Sequence, residues 1–162
     1  MGEDKLQSDE KFKDKMGDYL YNECKNGNLE VVKFLVGKGA DMNWVCEDDK
    51  SPAIIASEKG HLSVLEFLLN SGDIECYING SEPIHFAAQE GHLEMVKFLV
   101  ERGVDSNSRN NTGNTSLHFA AHRGHLEIVK FLVERGGNVK AITKKGNTSL
   151  HFAAKKGHLE IV

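Results

Sequence analysis

Only two prolines interrupt the 162-residue chain, and no apolar run approaches the length that a bilayer-crossing helix requires. Aromatic residues are sparse, at 7%. The formal net charge of -4 supplies no bulk positive field, so nucleic-acid binding through overall charge is not expected. The sequence does not open on a basic-then-apolar signal segment. Met1-Gly2 stands where a myristoylation signal begins, but Leu6 occupies the place that signal reserves for Ser or Thr. The three cysteines, Cys24, Cys46 and Cys76, form no Cys-x-x-Cys pair and leave one thiol over. That is the expectation for free thiols in a reducing, cytoplasmic compartment. Asn-x-Ser/Thr triplets such as Asn114-Thr115-Ser116 are accordingly not expected to carry glycans. Gly-x-Gly-x-x-Gly and Walker-type phosphate loops are both missing.

Glycine, by contrast, is abundant, with 16 residues, and its placement is periodic. Gly27, Gly60, Gly91, Gly124 and Gly157 are separated by 33, 31, 33 and 33 residues. Each opens the pattern Gly-(His/Asn)-Leu, with an apolar pair shortly after. A second series, Gly39, Gly72, Gly103 and Gly136, falls 12 residues behind the first. The stretch Gly113–Val129 recurs as Gly146–Val162 with one substitution of a pair: His122-Arg123 becomes Lys155-Lys156.

One unit can be read from its third copy. Ser81-Glu82-Pro83 gives a polar entry with proline in the first helical turn. A short helix over Ile84–Glu90 places Ile84, Ala87 and Ala88 on one face, and the alanine pair admits a neighbouring backbone closely. Gly91 ends it, in the left-handed conformation that other residues reach at a cost. A second helix over Leu93–Arg102 buries Leu93, Val96, Leu99 and Val100 at helical spacing, and Gly103 closes it. Residues 104–113 are polar and turn-forming. The series Phe34, Phe67, Phe98 and Phe131, with the Leu/Val stripes, reads as core. A single helix pair is too small to bury its own stripe, so the copies must stack.

The segments Ser81-Glu82-Pro83-Ile84-His85-Phe86-Ala87-Ala88, Thr115-Ser116-Leu117-His118-Phe119-Ala120-Ala121 and Thr148-Ser149-Leu150-His151-Phe152-Ala153-Ala154 resemble the Thr-Pro-Leu-His-x-Ala-Ala opening of ankyrin repeats. The recurring Gly-His-Leu-Glu and Gly39-Ala40-Asp41-Met42-Asn43 resemble other signatures of that family. The resemblance covers roughly residues 16–162. It implies an all-α repeat solenoid: stacked helix-turn-helix ankyrin repeats joined by β-hairpin-like loops. The expected divisions are a charged N-terminal arm at 1–15, a frayed helix or a disordered segment, and a degenerate N-terminal capping repeat at 16–48. Repeats two, three and four follow at 49–79, 80–112 and 113–145, and a truncated fifth at 146–162.

The departures carry expectations of their own. Asp18-Tyr19-Leu20-Tyr21-Asn22-Glu23-Cys24 lacks the opening motif, as a terminal repeat with one neighbour should. The second repeat has Ile54 in the histidine place, Ser57 in the alanine pair, and a loop two residues short between Gly72 and Pro83, so its finger should be stunted or reshaped. The fifth stops at Val162 inside its second helix without a polar cap, which implies a truncated or continuing chain.

His118-x3-His122-x2-His125 has the look of a metal cluster. However, His85, His118 and His151 recur at one register position and His61, His92, His125 and His158 at another, which is the signature of scaffold residues. Only His122 is off-pattern. A metal site needs converging ligands rather than a ladder, so none is expected. No histidine is placed to activate a cysteine, and neither a catalytic residue nor a cofactor is expected.

The family resemblance implies that a partner protein is bound through loop tips and exposed positions of the first helix in each repeat. Those positions are Glu47, Asp48, Lys50, Glu58 and Lys59 in the second repeat, and Ile78, Asn79, Ser81, Gln89 and Glu90 in the third. They are Asn111, Thr112, Asn114, His122 and Arg123 in the fourth, and Lys144, Lys145, Asn147, Lys155 and Lys156 in the fifth. The series runs from acidic to basic: residues 1–80 carry a net -7 and residues 81–162 a net +3. The two lysine pairs should form a positive patch that steers an acidic partner segment. With no aromatic residue interleaved among those lysines, nucleic acid is not the expected partner. The expected function is that of a monomeric, non-catalytic interaction module without membrane insertion. The alternative is an adaptor segment of a larger protein or pathogen effector whose activity lies elsewhere. The resemblance also raises hydroxylation of Asn43 or Asn107 in the Asp-x-Asn loop, although Lys140 stands there in the fourth repeat.

Overall fold

A computed structural model describes residues 3–46, 48–72 and 80–162, with side chains from Lys15 onward. The chain divides into two units, Met1–Cys76 and Tyr77–Val162. In the first lie α1 (Glu3–Asn26), α2 (Leu29–Gly37), α3 (Pro52–Lys59) and α4 (Leu62–Ser71). The second holds α5 (Pro83–Glu90), α6 (Leu93–Glu101), α7 (Ser116–Arg123), α8 (Leu126–Glu134) and α9 (Ser149–Lys156). Among the described residues there is no β-strand beyond an isolated bridge at Ser81.

Local chemistry sets the helix ends. Both prolines of the chain, Pro52 and Pro83, open a helix, where the missing N–H costs nothing. Thr115 and Thr148 sit in extended backbone and form reciprocal caps with the histidine three residues on. Gly60, Gly91, Gly124 and Gly157 close the first helices in the left-handed region. Helices α5, α7 and α9 pack in a row in the second unit, with α6 and α8 as a second layer behind them. In the first unit α1 packs on α3, and α2 on α4. The small alanine pairs permit this stacking: Ala87, Ala88, Ala120 and Ala121 are fully buried.

The loops are hairpin-like turns, built alike. Residue 110 donates its N–H to the carbonyl of Asn114 at 3.0 Å, and Gly113 returns to Asn110 at 2.8 Å. Thr143 and Asn147 pair at 2.9 Å, with Gly146 returning to Thr143 at 2.9 Å. Cys46 and Lys50 pair at 3.1 Å, with Asp49 returning to Cys46 at 2.9 Å. Asp49 therefore occupies, at φ 57, the left-handed place that glycine fills in the later turns. Consecutive turns are joined where Lys144 donates to the Thr112 carbonyl at 3.0 Å.

Several expectations need correction. The phenylalanine series is not core: Phe34 is 61% exposed, and Phe67, Phe98 and Phe131 are half-buried. These rings lie along the rim of the second helices, where Lys38, Arg102 and Arg135 lie over Phe34, Phe98 and Phe131 at 5.6, 5.0 and 5.1 Å. In α6 the buried stripe is Met95, Val96 and Leu99, with Leu93 and Val100 half-buried. Gly72 breaks its series, since its φ of 164 is ordinary extended backbone. Leu159–Ile161 form a turn rather than the start of a second helix. Helix α1 starts at Glu3, so residues 3–15, for which a frayed helix or a disordered segment was expected, are helical. The short finger expected before Pro83 lies outside the described residues.

Candidate partner-binding surface

The histidine ladders hold neighbouring repeats together within each unit. His118 accepts the Thr115 N–H at Nδ1, 3.2 Å away, and its Nε2 donates to the carbonyl of Ala141 at 3.1 Å. His85 does the same with Glu82 at 2.9 Å and Ser108 at 3.1 Å. The second ladder points the other way along the stack. His61, His125 and His158 donate to the carbonyls of Lys25, Gln89 and His122 at 3.0, 3.0 and 3.2 Å. The rings of His118 and His125 are thus directed to opposite neighbours and do not converge with His122 on a common point. The Cys24 thiol is buried, and burial pushes it up to about 12, far from a reactive thiolate.

These hydrogen bonds demand neutral imidazoles, because Nδ1 must accept. Burial holds His85 and His118 below the ordinary imidazole value, against the raising effect of their carbonyl partners. In the unfolded chain both titrate near about 6.5. Below that value the unfolded chain binds more protons than the folded one. Stability is therefore full above about pH 6.5 and is lost as pH falls. The urea midpoint of the second unit should drop between about pH 7.5 and about pH 5.5, and the drop should shrink in His118→Gln. A variant that keeps the whole drop would exclude His118 as its source.

The exposed positions fall into two sets in the second unit. Gln89, Glu90, His122, Arg123, Lys155 and Lys156 lie at the C-terminal ends of α5, α7 and α9. Arg123 approaches Glu90 at 3.9 Å, and Gln89 donates to Glu90 at 2.8 Å. His122 stands edge-on to Phe152 at 5.7 Å. Burial, then the charges of Lys156, Arg123, His158 and Lys155, hold its imidazole below the usual value. The basic last turns of α7 and α9 thus lie on two helices that pack on each other. Asn111, Thr112, Asn114, Lys144 and Lys145 occupy the turn tips instead. There Asn110 accepts N–H groups from Thr112 and Asn114, both at 3.0 Å. The two lysine pairs of the last repeat thus sit at two different places, one on a turn and one on a helix end.

Other expected positions are engaged internally. Ser81 is buried and accepts from Asn110 Nδ2 at 3.1 Å, so it is not a contact surface. Glu58 pairs with Lys50 at 2.6 Å and Lys59 at 3.4 Å. Burial alone would raise the Glu58 carboxyl, but the Lys50 hydrogen bond and the two ammonium charges hold it below its usual value. Asn107 ties two turns together, donating to Gly136 at 3.1 Å and accepting from Asn138 at 2.7 Å. Asp48 is exposed, whereas Glu47, Ile78 and Asn79 lie outside the described residues.

A cleft of about 670 Å³ in the first unit was not anticipated, and among its lining residues are Asp18, Tyr21, Lys25, Trp44, Cys46 and Asp48. Of these, only Asp48 was an expected partner contact. The missed signal is one of register. Tyr21 and Trp44 are 23 residues apart, the same spacing that joins His85 to Ser108 and His118 to Ala141.

The family model for ankyrin repeats in three copies matches residues 20–110 and 84–162. Among curated proteins, a BTB/POZ domain-containing protein 3 of Schizosaccharomyces pombe is 44% identical over 54 residues, 33% of this chain and 10% of that protein. An ankyrin repeat-containing protein of Saccharomyces cerevisiae, YIL001W, is 34% identical over 65 residues, 40% of this chain and 13% of that protein. The matched stretch is therefore a small part of both relatives. With the histidine ladders, the capped helix pairs and a family match running from residue 20 to residue 162, this chain belongs to the ankyrin-repeat family.

Proposed function

We propose that the chain is a non-catalytic interaction module that binds an acidic segment of a partner protein at the basic end of its second unit. Ankyrin repeats are generally protein-interaction modules, which supports the coarse reading. The basic ends of the packed helices α7 and α9, with Arg123, Lys155 and Lys156, carry the finer one. Lys155 and Lys156 are exposed and have no ion pair among the described residues, so their charge is available to a ligand. Lys144 and Lys145 add a second cationic point on the neighbouring turn.

The probe is a fluorescein-labelled hexaglutamate peptide, followed by anisotropy at low and physiological ionic strength. The native chain should bind it, more weakly as salt rises. Reversal of all four lysines to glutamate should cost at least about tenfold in affinity. Equal affinity and equal salt dependence would reject the patch. The separate pairs Lys144→Glu/Lys145→Glu and Lys155→Glu/Lys156→Glu divide the effect between turn and helix end. A second reading is favoured by the small share of each relative that is matched: the module would act as adaptor for an activity located elsewhere in a longer protein. A monomeric state and a cytoplasmic location belong to the same proposal.

A further inference from the structure

Among the departures of the first unit, one falls in the slot that the buried histidine fills in the later repeats. In the second unit a buried histidine spans 23 residues to a loop carbonyl and closes the space between helix and turn. The first repeat has Tyr21 in the histidine place and Trp44 in the place of the carbonyl residue. Their rings meet at 6.1 Å with a tilt of 58°. The indole packs over Gly17, where a Cβ would come within 2.2 Å of the ring. Tyr21 is half-buried. A polar tie has thus been replaced by an aromatic wall, and a cleft of about 670 Å³ opens beside it.

The charges around that wall are also out of register. Asp18 stands where Ser51, Thr115 and Thr148 cap their helices. Helix α1 runs straight through Asp18, so its carboxylate has no helix start to cap and is exposed at the cleft. Asp48 faces the cleft from the turn, with Glu47 and Asp49 on either side of it in sequence. Lys25 is the cation among the lining residues, and Glu58 nearby is neutralised by Lys50 and Lys59.

We propose that this cleft binds an arginine-bearing basic segment of a partner protein, the guanidinium lying along Trp44 and Tyr21 and pairing with Asp18 and Asp48. A guanidinium is planar and weakly hydrated, so it stacks on an aromatic face while donating to carboxylates at its edge. The cleft supplies both features and exceeds the room a single side chain needs, which fits a short stretch of peptide. This deepens the interaction-module reading by assigning the opposite charge class to a second site.

Trp44 is the only tryptophan, so its fluorescence and indole N–H resonance report on this cleft alone. The full chain is titrated with the capped peptide Gly-Arg-Gly-Arg-Gly, with its citrulline counterpart and with its glutamate counterpart. The arginine peptide should saturate the Trp44 signal. Citrulline, which keeps the shape and loses the charge, should bind at least about tenfold more weakly. Asp18→Asn/Asp48→Asn alters two exposed side chains, so it should keep the native thermal midpoint and lose at least about fivefold in affinity. An unmoved Trp44 signal at millimolar arginine peptide, an equal response to citrulline or glutamate, or undiminished binding by the double variant would each overturn the proposal. The lysine reversals of the second unit should leave this titration unchanged. Hexaglutamate binding that persists while the arginine peptide fails sinks the cleft and spares the module reading; failure of both sinks both.

Discussion

Leu132→Ala should destabilise the second unit by about 3 kcal/mol. Leu132 is fully buried in α8, beneath α7 and beside α6. Truncation removes the transfer free energy of the lost methyl and methylene groups and leaves a cavity. The site has little means of collapse. Leu132 shares the buried face of α8 with Ile128, and α8 packs on α7 and α6, helices whose spacing is held by the histidine ladder and the paired turns. Urea unfolding should show a lower midpoint at unchanged slope. Hydrogen exchange should show the protection loss concentrated in α7 to α9, since each repeat touches only its neighbours. A loss below about 1 kcal/mol would mean that the stack relaxes into the gap.

Gly91→Ala should cost about 2–3 kcal/mol for two separable reasons. Its φ is +88, where a Cβ is strained against the backbone. The added carbon would also lie 2.7 Å from the His125 ring, whose Nε2 donates to the Gln89 carbonyl. The ring would have to move, and the bond between repeats would go with it. Gly157 provides the control. Its φ is +77, yet nothing lies within 4 Å of a Cβ there. Gly157→Ala should therefore show the backbone cost alone, about 1 kcal/mol. The difference measures the close approach, and Gly91→Ala/His125→Ala should recover part of it in a double-mutant cycle. Equal losses at Gly91 and Gly157 would show that the imidazole contact contributes nothing.

The contrast between these two glycines illustrates how far sequence reading reaches. Both belong to one series, and their left-handed role is legible from spacing alone. That Gly91 has a ring above it and Gly157 has none depends on the tertiary neighbour, His125, which the spacing of the glycines does not show. The same holds for the phenylalanines. Their period marks them as apolar helix positions, but Phe34, Phe98 and Phe131 sit at the rim under cations. A helix of nine residues has a narrow buried face, and periodicity cannot tell its centre from its edge. Among the candidate contacts chosen by offset from the glycines, only packing shows that Ser81 is buried and that Glu58 pairs with Lys50.

The sequence by itself determined the family, the length of the repeat, the helix opening at Pro83 and the glycine stops of the first helices, because each depends on local backbone preference and a repeated pattern. Tertiary structure decided that the basic ends of α7 and α9 lie on helices packed together and that Tyr21, Trp44, Asp18 and Asp48 share one cleft. Those residues come from helices and turns far apart in the chain, and only packing, which follows from the whole set of neighbours, brings them together.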